Sequence, residues 1–330
     1  TLCAPLIGAD SHEVIVTDST SVNLFKLIHA GLKLNPTRQK IVTELGNFPT
    51  DLYVMQGIAR DTQAELCAVP RDQLVGAIDD QTALVVLTHV HYKSGEMFDI
   101  ETLTQHAHDH GALILWDLSH STGAVPIDLN QCQADLAVGC GYKYLNGGPG
   151  APSFLFVAAR HHARFEQPLT GWFGHAQPFA MSDQYEPAPG VDKAQCGTPS
   201  VLASIALEEG LNIANEVDIA DIRQASLTLS DRFIELIQTR LKAFELATPL
   251  DHKRRASHVS LTHPKGYAIM QALIDKGVIG DFRSPDILRF GFAPLYISVR
   301  DVEKAVDILE TIMDQTLYEA PKYQQKNRVT

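Results

Sequence analysis

Short apolar runs separated by helical stretches constrain the fold of this chain more than any other feature. Helical patterns at Ser21–Leu32 and Glu101–His110 lie between these runs. Strands that are almost continuously apolar are covered on both faces, and helical connections favour parallel pairing. The sequence therefore predicts an α/β fold with a mostly parallel central sheet flanked by helices. The predicted strands are Glu13–Thr17, Lys40–Glu44, Leu84–Thr88, Ala112–Trp116, Leu136–Gly139 and Phe154–Val157.

The last third of the chain again predicts both helices and strands, but fewer of them. A helical region runs from about Ser200 to Leu241, Ala256–Leu261 and Ile287–Phe292 predict strands, and Val302–Thr316 predicts an amphipathic helix. The chain has 330 residues, more than one hydrophobic core usually serves, so we expect a second, smaller C-terminal α/β lobe. The polar tail after Ala320 is expected to be frayed.

The composition limits the partners and the compartment of the protein. Lys and Arg number 27 against 39 Asp and Glu, which gives a net charge of −12 and disfavours nucleic acid and membrane surfaces. No apolar run approaches the length of a membrane span. Five cysteines without a CxxC pair favour a reducing cytoplasm over a disulfide scaffold. The histidine spacings lack a typical zinc pattern, so no metal is expected.

Thr20 and Ser21 are candidate phosphate ligands. They follow the first predicted strand and open the first predicted helix. Ligands of such folds bind at the carboxyl ends of strands, and free N–H groups at a helix start attract anions. The same residues also suit a plain helix N-cap. The sequence leaves both interpretations open.

Two charged residues follow later strands. Asp117 follows the fourth predicted strand, where a buried carboxylate requires a positive partner such as a pyridinium nitrogen or an arginine, unless it caps a helix. Lys143 stands between Tyr142 and Tyr144 in a glycine-rich segment. A buried lysine can form a Schiff base with an aldehyde. A plain loop lysine is the alternative interpretation.

The order of these motifs resembles the fold-type-I pyridoxal-phosphate enzymes and, within them, the kynureninase family. The resemblance covers nearly the whole chain, and its most specific segments are GYKYLNGGPGAP and GWFGH. The motifs are STSVNL (Ser19–Leu24), NFPTD (Asn47–Asp51), WDLSHS (Trp116–Ser121), GYKYLNGGPGAP (Gly141–Pro152), GWFGH (Gly171–His175), CGTPS (Cys196–Ser200) and LRFGFAPLY (Leu288–Tyr296).

The resemblance implies a role for each matching residue. Lys143 would carry pyridoxal 5'-phosphate and move the Cα proton, Asp117 would pair with the pyridine nitrogen, and Tyr142 would exchange a proton with the substrate carbonyl. Arg289 would hold the substrate carboxylate. Other implied cofactor contacts are Thr20, Ser21, Phe48, Asp51, Thr88, His120 and Tyr142, with Trp172 and Thr198 supplied by the partner subunit.

The resemblance also implies an activity and an organisation. The family hydrolyses the Cβ–Cγ bond of L-kynurenine to anthranilate and L-alanine in tryptophan degradation. A cytoplasmic homodimer with shared active sites is implied, with residues 1–215 as the large cofactor-binding domain and 216–330 as the small domain. Gly197 and Thr198 match the bacterial pattern, which favours kynurenine over its 3-hydroxy derivative.

Two alternatives stay open beside the kynureninase assignment. A cysteine desulfurase-like lyase would need a mobile cysteine late in the chain, and no cysteine follows Cys196. A catalytically silent homologue that only binds cofactor or dimerises is the other alternative. It draws support from Thr1, because family members have several dozen residues before that point, and these help to form the substrate pocket.

Overall fold

The computed structural model describes residues 1–325, and the chain divides into two compact units. The first unit comprises Thr1–Val90 and Phe98–Asp218, and the second comprises His91–Met97 and the chain from Ile219 onward. The short segment His91–Met97 therefore belongs with the C-terminal part of the chain, an excursion that the apolar pattern did not indicate.

The first unit is built on a seven-stranded sheet. Its strands are β1 (Val14–Val16), β2 (Lys40–Glu44), β3 (Glu65–Val69), β4 (Thr82–Thr88), β5 (Leu113–Asp117), β6 (Leu136–Cys140) and β7 (Ser153–Val157). The strand order is β1-β7-β6-β5-β4-β2-β3. The pairs from β3 to β6 are parallel, whereas β7 and β1 are added antiparallel at one edge. The predicted mostly parallel α/β sheet is confirmed.

Five helices connect and cover these strands. They are α1 (Thr20–Leu34), α2 (Pro49–Thr62), α3 (Leu74–Ala77), α4 (Ile100–Asp109) and α5 (Val201–Asn215). Apolar side chains of α1 and α2, such as Leu27 and Met55, are fully buried in one cluster with Val86 and Leu115 of the sheet. Burial of this kind contributes about 1.5–3 kcal/mol for each large apolar side chain. The two helices therefore fix one face of the sheet.

In the part that the structure describes, the second unit has a four-stranded sheet with three α-helices. The elements are α6 (Ile219–Arg240), β8 (Glu245–Leu246), β9 (His258–Thr262), α7 (Gly266–Asp275), β10 (Asp281–Arg283), β11 (Ile287–Gly291) and α8 (Val299–Asp314). All strand pairs are antiparallel in the order β10-β11-β9-β8. The predicted smaller α/β lobe is confirmed.

The tail prediction is wrong for residues 321–325. Pro321–Tyr323 forms a short 3-10 helix, and Tyr323 is buried with its hydroxyl 2.7 Å from Asp275 Oδ2. Lys322 also pairs with Asp275 at 2.6 Å. One buried aromatic ring thus anchors a segment whose composition is otherwise polar. The prediction for residues 326–330 lies outside the described residues.

Candidate active site

Lys143 lies in the loop that follows β6, at the carboxyl edge of the large sheet. Its Nζ is 3.5 Å from His120 Nδ1 and 5.9 Å from the centre of the Phe48 ring. The three side chains lie on three separate loops, each of which follows a different strand of the sheet. The first unit thus brings together the predicted lysine, the histidine and the aromatic residue.

Close backbone packing shapes the loop that carries Lys143. A Cβ on Gly139 would lie 2.4 Å from the Phe154 ring, and a Cβ on Gly141 would lie 2.3 Å from the Pro152 carbonyl oxygen. A larger residue would require the Phe154 ring to move at Gly139 and the backbone to move at Gly141. Gly147 N–H donates to the Gly141 carbonyl at 2.9 Å and closes the loop. The glycines therefore let the loop return tightly toward β7.

Asp51 and Asp117 form a buried pair of carboxyl groups beneath this loop. Asp117 is 3% exposed and Asp51 is 1% exposed, and their side chains share a hydrogen bond. Burial, and next the charge of Asp117, raise the pKa of Asp51 well above its usual value. The pair therefore retains a proton at a pH where two exposed carboxyls would both be ionised.

Backbone and hydroxyl donors orient the pair. Ser119 N–H donates to Asp117 Oδ1 at 2.7 Å, which fixes the carboxylate at the end of β5. Thr88, the register partner of Asp117 on β4, donates to Asp51 Oδ2 at 3.2 Å. This hydrogen bond works against the rise in the pKa of Asp51. Thr88 thus lies within the carboxyl pair's own hydrogen-bond network.

Asn47 is a functional candidate to which sequence reasoning gave no role. Its Oδ1 accepts from Phe48 N–H at 2.6 Å and from the Thr88 hydroxyl at 2.5 Å. Its Nδ2 donates to Thr43 Oγ1 at 3.2 Å, and Thr43 in turn donates to the Val86 carbonyl. Asn47 therefore fixes the backbone from which the Phe48 ring projects. The only sequence signal was its place in the NFPTD motif.

The predicted phosphate ligands lie at the start of α1. Ser19 is the N-cap residue, with its hydroxyl accepting from Val22 N–H at 3.4 Å. The capping role therefore falls to Ser19 instead of Thr20 or Ser21. Thr20 and Ser21 are half-buried, and the Thr20 hydroxyl lies 3.3 Å from Ser153 Oγ. Their assignment to a phosphate remains a prediction.

Three predicted residues lie on exposed surface of the first unit. Tyr142 is 51% exposed, although its ring centre is 5.7 Å from Lys143 Nζ. Trp172 is 39% exposed and packs against Phe179, with ring centres 5.6 Å apart. Thr198 is also exposed. Trp172 and Thr198 are therefore accessible at the surface, and their use by a partner subunit remains a prediction.

Arg289 belongs to the second unit and lies on β11. Its guanidinium pairs with Asp281 across the β10–β11 ladder, with Nε 3.0 Å from Oδ1, and its Nη1 donates to the Tyr92 carbonyl at 2.7 Å. These contacts hold the guanidinium in place. The expected role in binding a substrate carboxylate remains a prediction.

His89 and Cys140 complete the buried lining near the strand ends. Burial lowers the pKa of His89 to about 4, so its ring is neutral, and its Nδ1 lies 2.9 Å from Ser121 Oγ. Burial also raises the pKa of the Cys140 thiol, which contacts the Ser119 carbonyl at 3.6 Å. A neutral thiol is a poor nucleophile. Both residues therefore act in packing.

The residues present fit pyridoxal 5'-phosphate. The fit rests on the chemistry of the donor set: a lysine amine for the aldehyde, the Asp51–Asp117 pair for a protonated pyridine nitrogen, and the Phe48 ring for the face of the pyridine. A cationic partner stabilises a buried carboxyl pair, because the negative charge of the pair is otherwise without compensation. The structure thus defines an enzyme-like site for an aromatic aldehyde cofactor.

Comparison with solved structures agrees with this class of fold. A cysteine desulfurase from Thermococcus onnurineus superposes with a TM-score of 0.82 at 22% identity, covering 95% of this chain and 82% of that one. A C-DES mutant with glycine covalently linked to its PLP cofactor gives a TM-score of 0.81 at 17% identity, covering 94% of this chain and 83% of that one. The chain therefore has the fold of these enzymes.

Sequence comparison narrows the class to one family. The kynureninase of Pseudomonas fluorescens is 49% identical over 99% of this chain and 81% of its own length, as is that of Burkholderia mallei strain SAVP1. Residues 222–309 match the kynureninase C-terminal domain, and residues 4–134 match the DegT/DnrJ/EryC1/StrS aminotransferase family. The chain belongs to the kynureninase family.

Among residues 1–325, the structure contains no helix that is both long enough and apolar enough to cross a membrane.

Proposed function

We propose that the protein hydrolyses the Cβ–Cγ bond of L-kynurenine, adding one water to give anthranilate and L-alanine. The observation that carries the proposal is the meeting of Lys143 with the Asp51–Asp117 pair and Phe48 at one sheet edge, in a chain of the kynureninase family. This set of groups serves a reaction that removes a proton next to an amino group.

Pyridoxal 5'-phosphate, when bound, supplies a protonated pyridine ring that withdraws electrons from the substrate Cα. Lys143 holds the cofactor aldehyde and then carries the Cα proton. Asp117, fixed by Ser119 N–H, would pair with the protonated pyridine nitrogen, and Asp51 would lie beside it. Phe48, whose backbone is held by Asn47, would cover the ring face.

Polar groups around the sheet edge bind the rest of the cofactor. Thr20 and Ser21 receive the phosphate at the start of α1, where free N–H groups favour an anion. Thr88 and His120 line the cofactor through their contacts with Asp51 and Lys143. Each of these residues is placed by backbone of the first unit.

Tyr142 and Arg289 act on the substrate in this proposal. The exposed Tyr142 hydroxyl exchanges a proton with the substrate carbonyl as water adds. Arg289 binds the α-carboxylate through charge-assisted hydrogen bonds. A Tyr142→Phe variant with undiminished turnover would remove the first role, and an Arg289→Lys variant with unchanged KM would remove the second.

We further propose a cytoplasmic homodimer with shared sites, with residues 1–215 as the cofactor-binding domain and 216–330 as the small domain. The exposed Trp172 and Thr198 support the shared sites, because each would contact cofactor bound by the partner subunit. Mixing inactive Lys143→Ala and Trp172→Ala subunits tests this. Sharing predicts partial recovery of activity, and its absence would contradict the proposal.

The decisive assay adds pyridoxal 5'-phosphate and L-kynurenine to the purified protein and follows the fluorescence of anthranilate. We expect turnover in the wild type and none in Lys143→Ala. The matched control is Lys33→Ala, which removes an exposed lysine that pairs with the exposed Glu166. Turnover retained in Lys143→Ala would refute the assigned role.

The fold neighbours favour one alternative, a cysteine desulfurase-like lyase. The chain has no cysteine after Cys196 to serve as a mobile sulfur acceptor, which argues against this reaction. Sulfide release from L-cysteine without anthranilate from L-kynurenine would establish the alternative. Inactivity on both substrates with retained cofactor binding would establish a catalytically silent homologue.

A further inference from the structure

Lys26 is a fully buried lysine on the second turn of α1, and the proposed mechanism does not use it. Its side chain is 0% exposed. Its Nζ lies 2.5 Å from Asp18 Oδ2 and 2.5 Å from the Ala194 carbonyl oxygen. A buried ammonium is costly to keep unless its partners are well placed. The two contacts show that this lysine links Asp18 to Ala194.

The first contact holds an unusual turn between β1 and α1. Asp18 has φ +47°, a left-handed conformation that is uncommon for residues other than glycine. Its carboxylate accepts from Lys26 and from the Thr17 hydroxyl, and its carbonyl accepts from Ser153 N–H at 2.8 Å. Asn23 Nδ2 donates to the Thr17 carbonyl at 2.8 Å. Side-chain and backbone hydrogen bonds thus fix the turn directly before α1 begins.

This turn leads directly to the proposed phosphate ligands. Thr20 and Ser21 follow Asp18 by two and three residues, so the direction of the Asp18 backbone sets where their hydroxyl and N–H groups point. Ser153, which holds the Asp18 carbonyl, is also the residue whose hydroxyl lies 3.3 Å from Thr20 Oγ1. Orientation of the phosphate ligands therefore depends on the geometry at Asp18.

The second contact reaches the segment that precedes Thr198. Ala194 is the last residue of a short 3-10 helix and lies two residues before Cys196. The Cys196 carbonyl packs so closely on Gly171 that a Cβ there would lie 1.9 Å from its oxygen. Gly171 in turn precedes Trp172. Lys26 thus connects the phosphate turn to both segments expected to serve the partner subunit.

We propose that Lys26 is a positioning residue for the cofactor phosphate, tying the turn at Asp18 to the segment at Ala194. The inference rests on the proposed function, because it concerns how the same site receives pyridoxal 5'-phosphate. Lys26 touches neither cofactor nor substrate. It acts through the backbone that aims Thr20 and Ser21.

The test compares binding of pyridoxal 5'-phosphate with binding of pyridoxal, which lacks the phosphate, by absorbance titration of the apoprotein. In Lys26→Met we expect affinity for the phosphorylated form to fall about tenfold, the scale of one lost charge-assisted hydrogen bond. Affinity for pyridoxal should stay within about twofold of the wild type, a change equivalent to only ~0.4 kcal/mol. A general loss of packing would weaken both ligands together.

Lys40→Met is the matched control. Lys40 also bonds a carboxylate and a carbonyl, Asp79 Oδ2 at 2.7 Å and Ala77 O at 2.8 Å, but it lies at the amino end of β2. Its loss should leave the ratio of the two affinities unchanged. The double variant Lys26→Met/Asp18→Asn removes both charges. It keeps the test available if Lys26→Met alone fails to fold.

A selective loss of phosphate affinity in either Lys26 variant, with a normal ratio in Lys40→Met, supports the inference. An unchanged ratio in a folded Lys26 variant overturns the inference and leaves the proposed function standing. Wild-type protein that binds neither ligand overturns both, so the two failures are distinguishable.

Discussion

Asp51 and Asp117 share a hydrogen bond in the buried floor of the site, although they are 66 positions apart in the sequence. Asp117 ends β5 and Asp51 lies in the first turn of α2. Two carboxyl groups in close contact and away from water repel each other when both are ionised, so a nearby positive charge stabilises them. We expect a cationic pyridine nitrogen to stabilise this pair, which links the electrostatics of the two carboxyl groups to the proposed chemistry.

The raised pKa of Asp51 predicts how the stability of the apoprotein depends on pH. A carboxyl whose pKa is higher in the folded than in the unfolded state stabilises the fold below its unfolded pKa. That contribution is lost as pH rises through the folded pKa. Urea unfolding from acid to neutral pH should therefore show a falling stability term that is absent in Asp51→Asn. An identical pH slope in the two proteins would contradict the assignment.

Asn47→Ala should weaken both the fold and the cofactor site. The change removes the Asn47 acceptor from Phe48 N–H and one of the two acceptors of the Thr88 hydroxyl, at a cost of about 0.5–1.5 kcal/mol for each hydrogen bond lost. We expect lower stability in urea and weaker binding of pyridoxal 5'-phosphate. Thr62→Ala, which removes a hydroxyl bonded within α2, is the control and should leave cofactor binding unchanged.

Gly141→Ala should disrupt the loop that carries Lys143. Its Cβ would meet the Pro152 carbonyl at 2.3 Å, and the resulting backbone shift costs about 1–3 kcal/mol. The thermal midpoint and the cofactor affinity should both fall. The control is Gly57→Ala in α2, where an added Cβ would meet no atom of the described residues within 4 Å beyond its chain neighbours and the helix's own backbone, and alanine favours a helix. Equal effects from the two substitutions would argue against tight packing at Gly141.

Asp135 stabilises the first unit away from the proposed chemistry. Its buried carboxylate contacts His108, His161 and Arg160 at 2.7–2.8 Å, and hydrogen bonds from the histidines hold its pKa well below the usual range despite burial. The sign is opposite to that of Asp51, so this stability is present above the unfolded pKa and lost as pH falls. Asp135→Asn should cost about 3–5 kcal/mol in neutral urea unfolding. A change below about 0.5 kcal/mol, the scale of an ordinary surface substitution, would contradict this role.

Apolar pattern was enough to predict the central sheet, because buried parallel strands such as Thr82–Thr88 are nearly continuous apolar runs. It missed β3 and α2. Edge strand β3 is only partly buried, and α2 begins at Pro49 and fully buries only Asp51, Met55 and Ile58, so neither carries a strong periodic signal. The start of α8 at Val299 follows from the capping box of Ser298 and Asp301, which hydrophobic periodicity does not report.

Site residues that belong to a sequence motif were predictable. Residues whose role depends on contacts made by the fold were less so. Lys143, Asp117 and Phe48 came from motifs, and the structure places Lys143 near the Phe48 ring. Asn47 and Lys26 were missed because their roles come from hydrogen bonds to residues far along the chain, Thr88 and Ala194. Single-sequence spacing carries no information about such partners.

In the proposed function, Lys143 holds the cofactor aldehyde. The direct measurement is borohydride reduction of the protein with pyridoxal 5'-phosphate, followed by peptide mass spectrometry. We predict one stoichiometric phosphopyridoxyl group, located on the peptide that contains Lys143. A label spread over surface lysines, or located on a single lysine elsewhere, would contradict the account.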